Sequence, residues 1–285
     1  MKKSQLFLLK KGSNEITLKE PVMWPVGSEI VIAPTGNKFS VGRHDKRTIV
    51  SKSNNGRTLT LDKPLGFEHL SEVKSFASGT ETVYTHKQAE VGLLSRNVIF
   101  RGHNDDSWNR LFASEGCSKT FNPSESAVMT CFLGRYGPEL GSDQFGGTIM
   151  VAVGEDARNS ENAIVRISNV EFFHVGQSFR LGRYPIHFHL NGDMPSSYVK
   201  ECAIHESFNR AVNVHATNYV TIDRNVIFNI RGGAFFLEAG NEIGNVFSQN
   251  LAIFVQHASS LMNEDVTPGN LKRILVHFYL IIIIE

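Results

Sequence analysis

The chain has few cysteines, few tryptophans and almost no excess of charge of either sign. Its 285 residues include three cysteines and two tryptophans, and 29 basic residues nearly balance 28 acidic ones. A net charge of +1 excludes attraction to nucleic acid by bulk electrostatics, although a local basic patch could bind a polyanionic glycan. Cys202 is expected in the core, and Cys117 and Cys131 could pair in an oxidising compartment, so the redox compartment stays open.

Long apolar runs are also missing. The start, MKKSQLFLLKKG, has too short an apolar stretch for a secretory signal. The end, ILVHFYLIIIIE, offers about eleven apolar residues where roughly twenty are needed to span a bilayer. No stretch shows the 3.6-residue period of an amphipathic helix. The sequence has no glycine-rich phosphate loop, CxxC pair, GxSxG elbow or EF-hand loop, so those functional classes are unsupported.

Residues that favour strands and tight turns are abundant. Phenylalanine alone occurs 20 times, together with many valines, isoleucines and asparagines. Short strands are predicted at 29–33, 47–51 and 57–61, and the turn Asn54-Asn55-Gly56 should join the last two as a hairpin.

From about residue 90 a four-residue segment recurs. Its five copies begin at Asn97, Asn169, Glu201, Asn225 and Asn250, with spacings of 72, 32, 24 and 25 residues. A unit near 24 residues fits three of these gaps, which predicts a solenoid, and several short strands per unit favour a parallel β-helix of about six or seven coils. The second and fourth residues of each copy should be buried, namely Val98, Phe100, Val170, Phe172, Cys202, Ile204, Val226, Phe228, Leu251 and Ile253.

The segment YPIHFHLNGD at 184–193 carries the candidate site. If Ile186, Phe188 and Leu190 point into the β-helix, then His187 and His189 point outward, because side chains alternate along a strand. The other histidines have less informative positions. We expect His174 and His205 to cap corners, and the remaining ones to be surface or turn residues, namely His44, His69, His86 and His103.

One coil later the same alternation places Asn213 and His215 outward, each 26 residues after its counterpart, and Glu238 follows in the next coil. Coils about 4.8 Å apart would stack these side chains into a ladder. Imidazoles and a carboxylate at that spacing can chelate a divalent transition metal or act as acid and base. The candidate metal ligands are His189, His215, Glu238 and His257; the candidate catalytic residues are His189, His215 and Glu238; the candidate ligand-binding residues are Arg183, His187, Asp193 and Asn213. The alternative is a solvated polar ladder without a ligand.

These residues lie in stretches that resemble a known family. WPVGSEIVIA at 24–33 and LTLDKPLGFEH at 59–69 resemble the latter part of the extracellular domain named for its eight glycines. GRYPIHFHLNGD at 182–193 and much of 197–256 resemble the β-helix that follows it in the fibrocystin-L family. The same superfamily includes the cell-migration-inducing hyaluronan-binding protein and its transmembrane hyaluronidase relative.

The resemblance covers roughly residues 20–268 and implies an all-β chain with three parts. Residues 1–88 would be a partial eight-glycine β domain, residues 89–268 a right-handed parallel β-helix, and residues 269–285 a disordered tail foreign to the family. It implies a cell-surface location as part of a single-pass membrane protein, with the membrane reached only through parts of the full-length protein absent from this chain.

The implied role is a receptor-like segment that contacts an extracellular glycan such as hyaluronan, or cell-coat components, including those of stereocilia. The alternative is a hyaluronan-depolymerising glycosidase that uses the His/Glu ladder, with or without a divalent metal ion. Glycosidases usually need two carboxylates, and only Glu238 and the more distant Asp193 are offered. Position 239 is Ala, where the family pattern would have an acidic residue. A binding role is therefore favoured and enzymatic activity stays open.

Overall fold

A computed structural model describes residues 3–5, 9–103, 129–134, 137–142, 145–154, 163–178 and 180–256, with only the backbone for 3–5, Lys38, His86, 129–134 and 137–142. The chain divides into two compact units between Ser95 and Arg96. The first unit extends past the boundary predicted between residues 88 and 89, because the strand Glu90–Leu93 pairs within its sheet. The predicted tail at 269–285 lies outside the described residues. In the described ranges, no helix is long and apolar enough to cross a membrane.

The first unit is antiparallel. Its strands are β1 (Lys3–Gln5), β2 (Glu15–Thr17), β3 (Glu29–Ile32), β4 (Asp45–Lys52), β5 (Thr58–Leu61), β6 (Ser71–Ser78), β7 (Glu81–Gln88) and β8 (Glu90–Leu93), with a 3-10 helix at Lys38–Ser40. One sheet has the order β1-β8-β3-β4-β5-β2, and β6 pairs with β7 as a separate ribbon. The predicted hairpin is confirmed: β4 pairs with β5, and Gly56 in the turn has a φ of 68°. Ile30, Ile49 and Leu59 belong to the buried apolar cluster of this unit.

The second unit is built from short strands, which are parallel to their neighbours except in one antiparallel hairpin at 129–142. They are β9 (Val98–Arg101), the hairpin β10 (Met129–Gly134) and β11 (Gly137–Ser142), β12 (Ile149–Ala152), β13 (Arg166–Ser168), β14 (Val170–Phe173), β15 (Ile186–Asp193), β16 (Tyr198–Lys200), β17 (Ala203–His205), β18 (Val212–Asn218), β19 (Thr221–Asp223), β20 (Val226–Arg231), β21 (Phe235–Leu237), β22 (Val246–Ser248) and β23 (Leu251–Gln256). Three parallel sheets have the orders β12-β15-β18-β21, β13-β16-β19-β22 and β23-β20-β17-β14-β9. Neighbouring strands of a sheet come from successive coils, so the predicted all-β fold with a parallel β-helix is confirmed.

In four successive coils, one corner is marked by a residue in the left-handed region. Asn169, Glu201, Arg224 and Gln249 have φ values of 59°, 55°, 52° and 50°. Only the first is an asparagine, although asparagine is the non-glycine residue that best tolerates this conformation. Asn225 and Asn250, predicted at corners, instead follow them.

These two asparagines form a ladder between coils. The Asn225 side chain accepts a hydrogen bond from the backbone of Cys202 at 3.0 Å and donates to the carbonyl of Val199 at 3.0 Å. Its amide also donates to the Asn250 side chain at 3.0 Å. The buried backbone groups at this corner are thereby satisfied by side chains of the next coil.

The asparagine ladder shifts the predicted register by one residue. Val226 pairs with Ala203, so Ile227 takes the column of Ile204 and joins the apolar cluster inside the β-helix. The prediction that Val226, Phe228, Leu251 and Ile253 face the same side as Ile204 is therefore wrong, although all four are buried.

The first copy of the segment is also less buried than predicted. Val98 is 55% exposed and Phe100 is 36% exposed, because β9 is the outermost strand of its sheet. Val170 is half-buried, whereas Phe172, Cys202 and Ile204 are buried as predicted.

Candidate functional site

The sheet β12-β15-β18-β21 positions the candidate side chains. His187 pairs with Asn213, and His189 pairs with His215, in the parallel register of β15 and β18. The alternating residues Ile186, Phe188, Val212 and Val214 are fully buried inside the β-helix. These four positions match the predicted alternation, but Leu190, predicted to point inward, is half-buried in a left-handed bend that ends the alternation and lies outside the apolar cluster.

Three imidazoles meet on the outward face of this sheet. We define the histidine cluster as His187, His189 and His215; the ligand atoms that they offer all lie within 4.8 Å of one another. The ring centroid of His189 is 4.9 Å from that of His187 and 5.1 Å from that of His215. The cluster draws two residues from one coil and one from the next, which is why the chain spacing of 26 residues brings them together.

His187 is the most constrained member. Its Nδ1 lies 3.1 Å from the carbonyl oxygen of Gly182, and because a carbonyl can only accept, Nδ1 carries the proton in this contact. Burial lowers the pKa of His187 from 6.5 to about 4 against the effect of that hydrogen bond, and His189, His215 and Arg210 lower it further. The ring is therefore neutral near pH 7. Its Nε2 then has a lone pair, and this buried atom makes no hydrogen bond in the structure.

A buried arginine lies beside the cluster. The side chain of Arg210 has no exposed surface, and its Nη1 donates to the Tyr184 hydroxyl at 3.0 Å and to the Asn213 side chain at 3.2 Å. The same nitrogen lies 3.7 Å from the carboxylate of Glu238, which supplies a counter-charge. Burying a guanidinium costs free energy unless it is paired and hydrogen-bonded. Glu238 is the charged partner of Arg210, and this pairing holds the carboxylate in place.

Glu238 connects the arginine to the histidine cluster. Asn213 donates to its Oε2 at 2.7 Å, and Nδ1 of His215 lies 4.0 Å from the same oxygen. Among the described residues, the ligand atoms that converge within 4.8 Å are those of the three histidines, and the predicted ligand Glu238 is not in that set. His187 completes the set of three imidazoles, whereas the carboxylate is engaged by Asn213 and Arg210.

The other predicted site residues are placed differently. Arg183 is exposed and lies three residues before Ile186, where the strand that carries His187 and His189 begins. Asp193 accepts a hydrogen bond from Asn218 at 2.8 Å, beyond the left-handed bend at Leu190, so its carboxylate serves the contact between neighbouring coils. His257 lies outside the described residues.

Two participants, Tyr184 and Arg210, are absent from the sequence prediction. They are 26 residues apart, the same offset that relates His187 to Asn213. That offset is the signal that could have found them.

Two of the remaining histidines correct the prediction. His205 lies on a strand rather than at a corner and is buried against Glu171, with Nε2 3.2 Å from the carboxylate. His69, expected at the surface, is wholly buried in the first unit between the Ala33 carbonyl and Asp45.

The histidine cluster fits the chemistry of a divalent transition metal. Zinc binds imidazole nitrogen at about 2.0–2.1 Å, so two nitrogens on one ion lie at most about 4 Å apart. The ligand atoms of the cluster lie within 4.8 Å of one another, close to that separation. The Gly182 carbonyl already fixes the His187 tautomer, as the outer partners of metal-bound histidines do. Three imidazoles would leave a further coordination position for water or a ligand.

Fold and site together define a parallel β-helix protein with a histidine cluster on an outer sheet face. Residues 144–274 match the family described as CEMIP beta-helix. The chain is 47% identical to mouse Fibrocystin-L over 259 residues, which is 90% of this chain and 6% of that protein. This similarity confirms the resemblance to the fibrocystin-L family.

A second relative comes from the other branch of the superfamily. The zebrafish (Danio rerio) protein named Cell surface hyaluronidase is 29% identical over 249 residues, covering 85% of this chain and 15% of that protein. Among solved structures, the tailspike protein gp49 from Pseudomonas phage LKA1 aligns over 91% of this chain and 36% of its own, with 9% identity and a TM-score of 0.28. A likeness that weak carries no argument. The chain thus spans a small fraction of the length of the relatives it matches.

Proposed function

We propose that this chain is an extracellular, glycan-binding segment of a fibrocystin-L-like cell-surface protein, and that it holds a divalent transition-metal ion on its histidine cluster. The observation that supports the proposal is the convergence of His187, His189 and His215 within 4.8 Å, with a buried His187 nitrogen that makes no hydrogen bond. A buried polar atom without a hydrogen bond calls for an explanation, and beside two other imidazoles a metal ion supplies one.

The glycan part of the proposal draws on the composition of the outward face. It offers the imidazoles of His189 and His215 and the Glu238 carboxylate, which are groups that bind sugar hydroxyls, and the buried Asn213 holds that carboxylate in place. A bound dication would add positive charge and an open ligand position, both of which favour a glycan that bears carboxylates. The relative named Cell surface hyaluronidase makes hyaluronan the first polymer to test.

A second candidate function is hydrolysis of hyaluronan. Cleavage adds one water across the glycosidic bond, so one group must take a proton from the water and another must deliver a proton to the leaving oxygen. The 4.0 Å contact between His215 and Glu238 offers such a pair. Against this candidate, Glu238 is the one carboxylate among the described contacts of the histidine cluster, and glycosidases usually need two.

One experiment separates the two functions. The purified chain is incubated with high-molecular-weight hyaluronan, with and without a chelator, and both retention of the polymer and its size are followed. We expect retention without loss of size, abolished by the chelator and by His215→Ala, and unchanged by His103→Ala, a control at an exposed histidine. Loss of polymer size that the chelator prevents would favour hydrolysis. Retention that survives both the chelator and His215→Ala would contradict the metal site.

A further inference from the structure

Phe236 has a position that core packing does not explain. It lies on the outward face, in register with Asn213 and His187 of the two preceding coils. Its neighbour Phe235 packs against the apolar core, as alternation along a strand requires. Phe236 therefore presents an aromatic ring, half-buried, on the polar face that carries the histidine cluster.

The ring of Phe236 is fixed from the inside. The guanidinium carbon of Arg210 lies 3.9 Å from the ring centroid, close enough for a cation–π contact. Arg210 is itself wholly buried and held by Tyr184 and Asn213. Since the arginine occupies the inner face of the ring, the surface that Phe236 exposes belongs to its outer side and edge. A flat, immobilised ring is a surface on which a ligand can stack at little cost in side-chain entropy.

A carboxylate lies in the column next to this ring. Glu238 lies two residues further along the chain, in the neighbouring column, and accepts a 2.7 Å hydrogen bond from Asn213, which precedes Phe236 in its own column. Each carboxylate oxygen of Glu238 has more than one acceptor site, so the contact with Asn213 leaves capacity for a hydroxyl donor. A pyranose ring has one apolar C–H face and a rim of hydroxyls, and it is comparable in length to the separation of neighbouring coils, about 4.8 Å.

We propose that Phe236 is a stacking platform for one pyranose ring of a bound glycan, with Glu238 accepting hydrogen bonds from the hydroxyls at its rim. A polymer that runs across the coils then reaches the histidine cluster with its neighbouring sugars. The inference rests on the glycan-binding function proposed above and adds the subsite at which a sugar ring is held. It requires no metal for the stacking contact itself.

The test measures the affinity of the full chain for hyaluronan oligosaccharides of defined length, and its metal content, in matched variants. We expect Phe236→Leu to weaken binding about tenfold, in the range of a central aromatic contact, while metal content stays unchanged. Phe236→Tyr should restore most of the affinity, because the ring is kept. Phe39→Leu, a control at an exposed phenylalanine of the first unit, should have no effect.

The outcomes distinguish this inference from the proposed function. Binding that is equal in Phe236→Leu and in the unchanged chain overturns the platform and leaves the metal site standing. Absence of binding to both hyaluronan and neutral chitin oligosaccharides overturns the platform together with the glycan function. If Phe236→Leu fails to fold, NOE contacts between a selectively labelled Phe236 ring and sugar C–H protons decide the question in the unchanged chain: their absence at saturating oligosaccharide overturns the platform.

Discussion

The first unit buries His69 and the second buries His187 together with His174 and His205, and the difference between His69 and His187 separates a structural residue from a candidate ligand. In the first unit, the Nδ1 of His69 contacts the Ala33 carbonyl at 2.9 Å and its Nε2 contacts Asp45 at 2.9 Å. In the second unit, His187 satisfies one nitrogen with Gly182 and leaves the other buried without a hydrogen bond. A fully bonded imidazole holds its surroundings together. An imidazole with one unsatisfied nitrogen beside two other imidazoles has the electronic requirement of a metal ligand.

Removal of His69 should have the largest effect on folding. His69→Ala leaves the buried Asp45 carboxylate without one of its main partners, and breaking a buried pair in this way costs about 3–5 kcal/mol. We expect the thermal transition of the first unit to fall sharply by calorimetry, with metal content unchanged. The control His103→Ala removes an exposed imidazole and should leave this transition in place. A decrease in the free energy of unfolding below about 1 kcal/mol would mean that His69 contributes no more to stability than an exposed residue does.

Removal of the asparagine ladder should weaken the second unit to a smaller degree. Asn225→Ala leaves the buried Cys202 amide without its acceptor and removes the bond to the Val199 carbonyl, and an unsatisfied buried group costs about 1–3 kcal/mol. Urea unfolding monitored in the second unit should show this loss. Asn241→Ala, at an exposed asparagine, is the matched control. Equal midpoints for the two variants would mean that the ladder does not stabilise the coils.

Low pH should destabilise the first unit because Asp45 becomes protonated. We expect this effect on stability to be smaller than those of His69→Ala and Asn225→Ala. Burial raises the pKa of Asp45, but His69, the Gly66 amide, Arg47 and the Phe67 amide outweigh it, so the pKa lies below its usual 3.8. A depressed carboxyl pKa contributes stability that is present above the unfolded value and lost as pH falls through the folded one. Hydrogen exchange of first-unit amides from pH 5 to pH 3 should therefore show falling stability. Asp45→Asn, less stable throughout, should show a flatter pH dependence; an unchanged slope would assign the effect elsewhere.

The sequence predicts the β-helix and much of the site because both depend on two simple periods. Alternation along a strand places His187 and His189 outward, and an equal 26-residue offset places Asn213 and His215 beside them. The register of the last coils could not be obtained this way. The residues in the left-handed corners there are Glu201, Arg224 and Gln249, which carry no turn signal, so the corner is visible only through the hydrogen bonds of Asn225 and Asn250.

Burial of charge is the other feature that the sequence conceals. Arginine and histidine are residue types that are seldom fully buried, yet Arg210 and His69 have no exposed surface. Each depends on partners far along the chain: Arg210 on Tyr184 and Glu238, and His69 on Ala33 and Asp45. This pairing depends on which strands lie side by side in the fold, and the identity of a single residue does not reveal it.

Metal analysis of the purified chain tests the central claim most directly. After exposure to zinc or cobalt and removal of the free ion, we predict about one ion bound per chain, with a cobalt absorption spectrum of nitrogen coordination at low coordination number. His189→Ala should reduce the affinity at least about tenfold to a hundredfold, while His205→Gln, which alters a buried histidine on a different sheet, should retain the ion. Stoichiometric binding that is lost in His189→Ala and kept in His205→Gln is the predicted result. Binding absent from the unchanged chain, or equal in both variants, would contradict the assignment of the histidine cluster as a metal site.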